Sequence, residues 1–406
     1  MRILAVTEPG TRVARDGEIL VLSRAGEVSH RARLQDLSQL VLIGSVELTH
    51  GAVAALLDRG IDVVWLTGRG RYRGRLVGPL SGNVALRSAQ YARLQASDFG
   101  LSFARSIVAG KVQNQRNLML RAQRSIKDLD LASAIGGLRR VVDDLPAVAD
   151  LDALRGLEGR AAALYFGSLG RLLRNPGFRF TRRVRRPPTD PVNACLSFGY
   201  SVLLVEMESQ VYRAGLDPMA GFLHAPAHGR PSLVLDLIEE FRPLIVDSLV
   251  LRLVNRRQLS PADFGDPAEE DERDPFAGEP GPVPPTDPQA SQEARSPAET
   301  VETTTRDSGT TAARNGDDGT TAARTGEAMT DEGSTPSAET PPIPVYLRGT
   351  GRRVFLGALY GRLRDRLHYP PRRGSYSLRD ILLEQIYHAA RVIQGEDIEY
   401  HPFVPR

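Results

Sequence analysis

The stretch Ser232-Leu-Val-Leu-Asp-Leu-Ile-Glu-Glu-Phe-Arg-Pro-Leu-Ile-Val-Asp247 reads as a helix running into an apolar segment. Leu233, Leu237 and Phe241 recur every fourth residue and make an apolar stripe, the mark of a helix packed on a core. Asp236, Glu239 and Glu240 fall at i, i+3 and i+4 on another face, three carboxylates within about one turn. Crowded carboxylates repel unless a cation, a basic partner or water lies between their oxygens. One loop upstream, Gly221-Phe-Leu-His ends in His224, whose imidazole nitrogen suits the same ion. A solvated acidic helix face is the alternative at this point.

The chain around this helix has 406 residues, 41% of them hydrophobic, enough for two or three domains with a real core. The opening Met1-Arg-Ile-Leu-Ala-Val-Thr-Glu-Pro-Gly is too short an apolar run for a signal peptide, and no stretch approaches the ~18 uncharged residues of a membrane span, so a cytoplasmic protein is expected. The single cysteine, Cys195, excludes an internal disulfide and reads as a buried small hydrophobe in a helix. The net charge of +3 averages two unlike parts. Residues 263–341 hold 19 acidic residues against 5 arginines, a net of −14; of the chain's 52 basic and 49 acidic residues, 47 and 30 remain, a net of +17. So basic a body points to an acidic partner such as nucleic acid. All but Lys111 and Lys127 of those basic residues are arginines, whose planar fork suits phosphate.

The first 80 residues read as β-rich, with strands at 2–7, 18–23 and 40–43 separated by Pro9-Gly10, Asp16-Gly17 and Ala25-Gly26 turns, in the manner of a meander. Thr49 caps a short helix closed by Gly60, and residues 61–67 return as a strand. Gly68-Arg-Gly-Arg-Tyr-Arg-Gly-Arg-Leu follows. Its glycine spacing does not fit a dinucleotide loop. If extended, it turns Arg69, Arg71, Arg73 and Arg75 to one face as a comb for a phosphate backbone, with an exposed solubilising hairpin as the alternative.

From about residue 87 the period becomes helical and stays so. The helix near 101–126 offers Lys111, Asn114 and Arg116 to nucleic acid. The helix near 150–172 holds Glu158 between Gly156 and Gly159, each costing about 1 kcal/mol in a helix, so Glu158 is a candidate ligand on an open turn. Arg179-Phe-Thr-Arg-Arg-Val-Arg-Arg is the strongest basic run, adding Arg182, Arg183, Arg185 and Arg186 as nucleic-acid candidates. A mostly apolar helix at 193–212 ends at Gly215-Leu-Asp-Pro. Residues 263–341 contain no Leu, Ile, Trp or Tyr and carry a near-repeat, Gly309-Thr-Thr-Ala-Ala-Arg-Asn-Gly against Gly319-Thr-Thr-Ala-Ala-Arg-Thr-Gly, so a disordered acidic insertion is expected. Two further helices follow from about 353 and from Ser377, the second with Ser377 and Asp380 as a capping pair and Gly395 as its stop. Arg348, Arg352, Arg353, Arg372 and Arg373 extend the basic surface in this reading.

Five motifs in order, Leu154-Arg-Gly-Leu-Glu-Gly-Arg-Ala-Ala, Asp190-Pro-Val-Asn-Ala, Gly215-Leu-Asp-Pro, Gly221-Phe-Leu-His and Leu235-Asp-Leu-Ile-Glu-Glu-Phe-Arg-Pro, resemble the CRISPR-associated spacer-acquisition integrase family, Cas-one. The resemblance covers about residues 1–262 and 343–406; the insertion departs from it. It implies an α+β fold: a β-rich domain at 1–80 that pairs two subunits, and a mostly helical catalytic domain at 87–262 and 343–406, interrupted by the insertion at 263–341. It also implies a divalent-metal-dependent DNA endonuclease and integrase using Mg²⁺ or Mn²⁺, acting on DNA as a homodimer with a small partner, Cas-two. Its metal ligands fall on Glu158, His224 and Glu239, with Asp236 in a second tier, and Glu239 is preferred to Glu240 because the family's last acidic ligand follows the aspartate by three. Two other functions stay open at this stage: a non-catalytic DNA-binding scaffold, and a metal phosphohydrolase acting on nucleotides. The second lacks an adjacent His-Asp pair and a phosphate-cradling glycine loop.

Overall fold

The computed structural model describes residues 2–68, 70, 72–78, 83–185, 187–265 and 344–405. Residues 266–343, which include most of the insertion read at 263–341, lie outside them, as do Arg69, Arg71 and Arg186.

An N-terminal β region precedes a helical region, an α+β arrangement. Strands β1 (Arg2–Val6), β5 (Leu37–Ile43), β7 (Asp62–Leu66) and β8 (Tyr72–Leu76) form one sheet in that order. Here β1 pairs parallel with β5, and β5 parallel with β7. The expected meander is therefore corrected: it exists only in the second sheet, where β4 (Glu27–Arg33), β3 (Ile19–Arg24) and β2 (Thr11–Asp16) run antiparallel and β6 (Val46–Leu48) closes the edge. Parallel pairing needs a crossover, and the second sheet and helix α1 (His50–Asp58) supply the two.

Strands β5 and β7 are buried on both faces, which explains why they read as unbroken apolar runs. Leu40, Leu42 and Val63 face Val13, Leu20, Ala52 and Leu56 of the β region, while Val41, Ile43, Val64 and Leu66 join the core of the helices. Val63, Val64 and Leu66 are thus consumed inside the chain and are not available as an apolar face for subunit pairing. Of the two edge strands of the second sheet, β4 is exposed along almost its whole length.

The helical region contains α2 (Val84–Leu94), α3 (Ser97–Ser125), α4 (Ala132–Asp144), α5 (Leu151–Leu169), α6 (Pro191–Ala214), α7 (Ser232–Ile238), a π-helical turn (Arg242–Asp247) and α8 (Ser248–Asn255). After the insertion come α9 (Gly349–Arg364), a hairpin of β11 (Arg366–Tyr369) and β12 (Gly374–Ser377), and α10 (Leu378–Gln394). Cys195 is buried on α6. Asp263, Phe264 and Gly265, assigned above to the insertion, belong to the fold: Asp263 closes a capping box with Ser260, and β9 (Phe264–Gly265) pairs antiparallel with β10 (Tyr346–Leu347). Both ends of the insertion are therefore pinned side by side. No helix among the described residues is long and apolar enough to cross a membrane.

Candidate active site

The carboxylates of the opening stretch do not share a solvated face. Asp236, Glu239 and Glu240 are all buried, and each turns to a different partner. The Asp236 carboxylate accepts the backbone N–H groups of Phe222 (2.6 Å), Leu223 (3.0 Å) and His224 (2.9 Å), and its Oδ1 lies 2.7 Å from His224 Nδ1. An acceptor already bonded to three N–H groups takes the proton of Nδ1 as well, which fixes the tautomer and leaves Nε2 as the outward nitrogen. Gly221 makes this loop possible: a Cβ there would meet the Ser232 carbonyl carbon at 2.5 Å. Burial pulls the His224 pKa down, but the hydrogen bond and charge of Asp236, with the charges of Glu239 and Glu158, raise it overall.

Glu239 follows directly on α7 and points at α3 and its own next turn. Its Oε2 lies 2.8 Å from Lys111 Nζ and its Oε1 3.2 Å from Arg242 Nε. Burial raises its pKa, yet Arg242, Lys111 and His224 outweigh that and hold the carboxyl well below the usual range. Lys111 also contacts Glu158 of α5 closely, so one ammonium bridges two carboxylates from separate helices. Cβ atoms added at Gly156 or Gly159 would meet nothing within 4 Å, so no packing within the chain demands those glycines.

Glu240 faces away from this cluster. It accepts from Tyr400 Oη (2.7 Å) and from the Phe403 backbone N–H (2.7 Å), tying α7 to the C-terminal segment. Behind Glu239, Arg242 stacks over Tyr200 at 4.6 Å, and Asp247 accepts the hydroxyls of Tyr200 (2.5 Å) and Tyr165 (2.7 Å). Arg242, Tyr200, Tyr165 and Asp247 were not singled out from the sequence. Asp247 comes to the site through the π-helical turn, which no 3.6-residue period announces.

The arginines divide. Arg75 turns inward: its side chain is 8% exposed, 2.6 Å from Asp62 Oδ1, 3.8 Å from Glu208 and 4.4 Å over the Tyr212 ring. It is structural, and the comb reading fails for it. Arg73 and Arg116 are half-buried. Arg183 is likewise committed, donating to Asn193 Oδ1 (2.8 Å) and Ser197 Oγ (3.0 Å), with burial lowering its pKa to about 10. Arg182 and Arg185 are exposed. Asn114 is buried, bonded to the carbonyls of Glu240 and Phe403. Arg352 is also buried, donating to the Gly68 carbonyl, rather than adding to a basic surface.

Does this cluster fit a divalent ion? Two carboxylates and one imidazole with its other nitrogen fixed are a donor set that suits Mg²⁺ or Mn²⁺ better than a structural zinc. Glu239 Oε2 is buried and, although Lys111 is close, has no well-aligned hydrogen-bond donor. Among the described residues, no three His, Cys, Asp or Glu side chains already converge as a ligand set. The fit is one of donor chemistry, with the position between the carboxylates held by an ammonium.

Residues 4–271 match the family model described as CRISPR associated protein Cas1. The CRISPR-associated endonuclease Cas1 2 of Rhodospirillum rubrum is 44% identical over 269 residues, covering 64% of this chain and 77% of that protein. A casposase bound to integration product superposes with a TM-score of 0.71 at 18% identity, covering 99% of this chain and 93% of its own. A Cas6-RT-Cas1–Cas2 complex gives a TM-score of 0.70 at 19% identity over 100% of this chain, which spans 36% of that longer chain. At those identities the structures speak for the fold, whereas the family match extends over more than half of the sequence. The chain belongs to the Cas1 family of CRISPR-associated proteins.

Proposed function

We propose that this protein is a divalent-metal-dependent DNA endonuclease and integrase that inserts captured DNA fragments into a CRISPR array in the cytoplasm, as a homodimer assembled with Cas2. The observation that carries the proposal is the convergence of Glu158 and Glu239, from separate helices, on one buried cationic position beside an imidazole oriented by Asp236. A non-catalytic scaffold gives no reason to bury these carboxylates. The name of the Rhodospirillum rubrum relative, an endonuclease, supports the same chemistry.

In strand transfer the 3′-hydroxyl oxygen of the fragment forms a bond to a target phosphorus, the P–O3′ bond of the target strand breaks, and the leaving oxygen takes up a proton. Mg²⁺ or Mn²⁺ held by Glu158, His224 and Glu239 would polarise the phosphoryl oxygen and favour ionisation of the attacking hydroxyl. Asp236 orients His224, and Arg242 holds Glu239 against rotation from its other side. The exposed arginines Arg182 and Arg185 are suited to the backbone, which positions the DNA without choosing sequence.

Single substitutions Glu158→Ala, His224→Ala and Glu239→Ala should each abolish Mn²⁺-dependent nicking and strand transfer on oligonucleotides, and double substitutions should cost little more, because a broken unit loses nothing further. Glu240→Gln should keep both activities, since its carboxyl serves Tyr400 and Phe403. An active His224→Ala protein, or hydrolysis of free nucleotides in place of strand transfer, would refute the assignment.

A further inference from the structure

Lys111 is one of two lysines among 52 basic residues, the other being Lys127. Its side chain is 10% exposed, and its ammonium contacts Glu158 and lies 2.8 Å from Glu239 Oε2. Burying a charge is costly unless it is paired, and here Lys111 with Arg242, 3.2 Å from Glu239 Oε1, balances the two carboxylates without any ion. Yet these are the carboxylates to which a divalent cation is assigned above. A divalent ion and an ammonium within a few ångströms of each other repel strongly in a desolvated site, and carboxylate oxygens already turned to one are not free for the other. The absence of a converged three-ligand set among the described residues agrees with a site held by its own counter-ion.

We propose that Lys111 is an internal competitor for the metal: its ammonium holds Glu158 and Glu239 together in the metal-free protein and must be expelled from between them for a divalent ion to bind. Resting on the ligand reading above, this makes Lys111 a positioning residue that keeps two helices in register before the metal arrives and lowers metal affinity. The side chain would then leave its buried position as the metal loads.

The paucity of lysines allows a direct test on the wild-type chain. Lys127 is exposed and serves as the internal reference. With an amine-acylating reagent and mass spectrometry, Lys111 should be modified far more slowly than Lys127 without metal. It should react at least about fivefold faster with saturating Mg²⁺ while Lys127 does not change, because a side chain expelled from between the two carboxylates is open to the reagent. Calorimetry with Mg²⁺ and Mn²⁺ alone reports binding independently. Bound metal with Lys111 protection unchanged or increased overturns the proposal. Failure of both ions to bind, with DNA binding intact, overturns the ligand reading itself, and the proposal with it. In variants, Lys111→Met should bind Mn²⁺ roughly tenfold more tightly, whereas Lys111→Arg, which keeps the charge, should not. Binding by Lys111→Met equal to or weaker than wild type counts against competition; should that variant not fold, the labelling of the wild-type chain decides.

Discussion

Asp247 receives the hydroxyl hydrogen bonds of Tyr165 and Tyr200, and Tyr200 in turn supports the guanidinium that holds Glu239. Burial raises the Asp247 carboxyl to about 6, against the lowering effect of the two hydroxyls, Arg242 and Arg183. Its folded pKa therefore exceeds its unfolded one, so the native state holds the extra proton between roughly pH 4 and 6. That contribution is complete below pH 4 and is lost as pH rises through 6. Compared with Asp247→Asn, the wild-type protein should lose up to about 1.4 kcal/mol per pH unit across that window, measured by denaturant unfolding at pH 4 to 7. Parallel curves for the two proteins would refute this account. At this scale the sequence was legible for residue type and less so for direction. The i, i+3, i+4 carboxylates were plain in the pattern, but their divergence to Phe222–His224, to Lys111 and to Tyr400 depends on segments far away in the chain.

Among the elements, helix ends were readable because their causes are local. Thr49 accepts from the Ala52 N–H, Ser377 from the Asp380 N–H, and Gly60, Gly215 and Gly395 take the positive φ their positions need. The pairing of β1 with β5 was not readable, since it joins strands about 30 residues apart, and a run such as Leu40–Ile43 does not reveal how many of its faces are covered. On α5 the two readings of the glycines separate cleanly. The chain leaves open space at Gly156, so Gly156→Ala should raise stability by about 1 kcal/mol through helix propensity. If those glycines exist to let DNA approach Glu158, the same variant should lower strand transfer while its melting temperature rises. Unchanged transfer would mean that nothing approaches there.

For the whole molecule, the exposed β4 edge, with Val28 at 51% exposure, is one sheet edge of the β region open to pairing with a second copy, and light scattering at micromolar concentration should give the mass of two chains. A monomer under those conditions, unchanged by Cas2, would exclude pairing through this region. The acidic segment bears on DNA in the opposite sense. Replacing residues 266–343 by a short Gly/Ser linker from Gly265 to Pro344 should leave the melting temperature unchanged, and at low salt should hold or strengthen DNA binding, because the segment's negative charge competes with phosphate for the arginines. Weaker binding at low salt would overturn that electrostatic account. The two-residue ladder of Phe264–Gly265 with Tyr346–Leu347 has one more consequence. It makes the ends of any intervening peptide a fixed hairpin gate, and the entropy of closing a flexible loop through such a gate grows only logarithmically, by about 0.6 kcal/mol for each doubling of length. This point of the chain is therefore a socket for a fluorescent or affinity module whose two ends lie close together, because its N- and C-termini would be delivered to neighbouring strands.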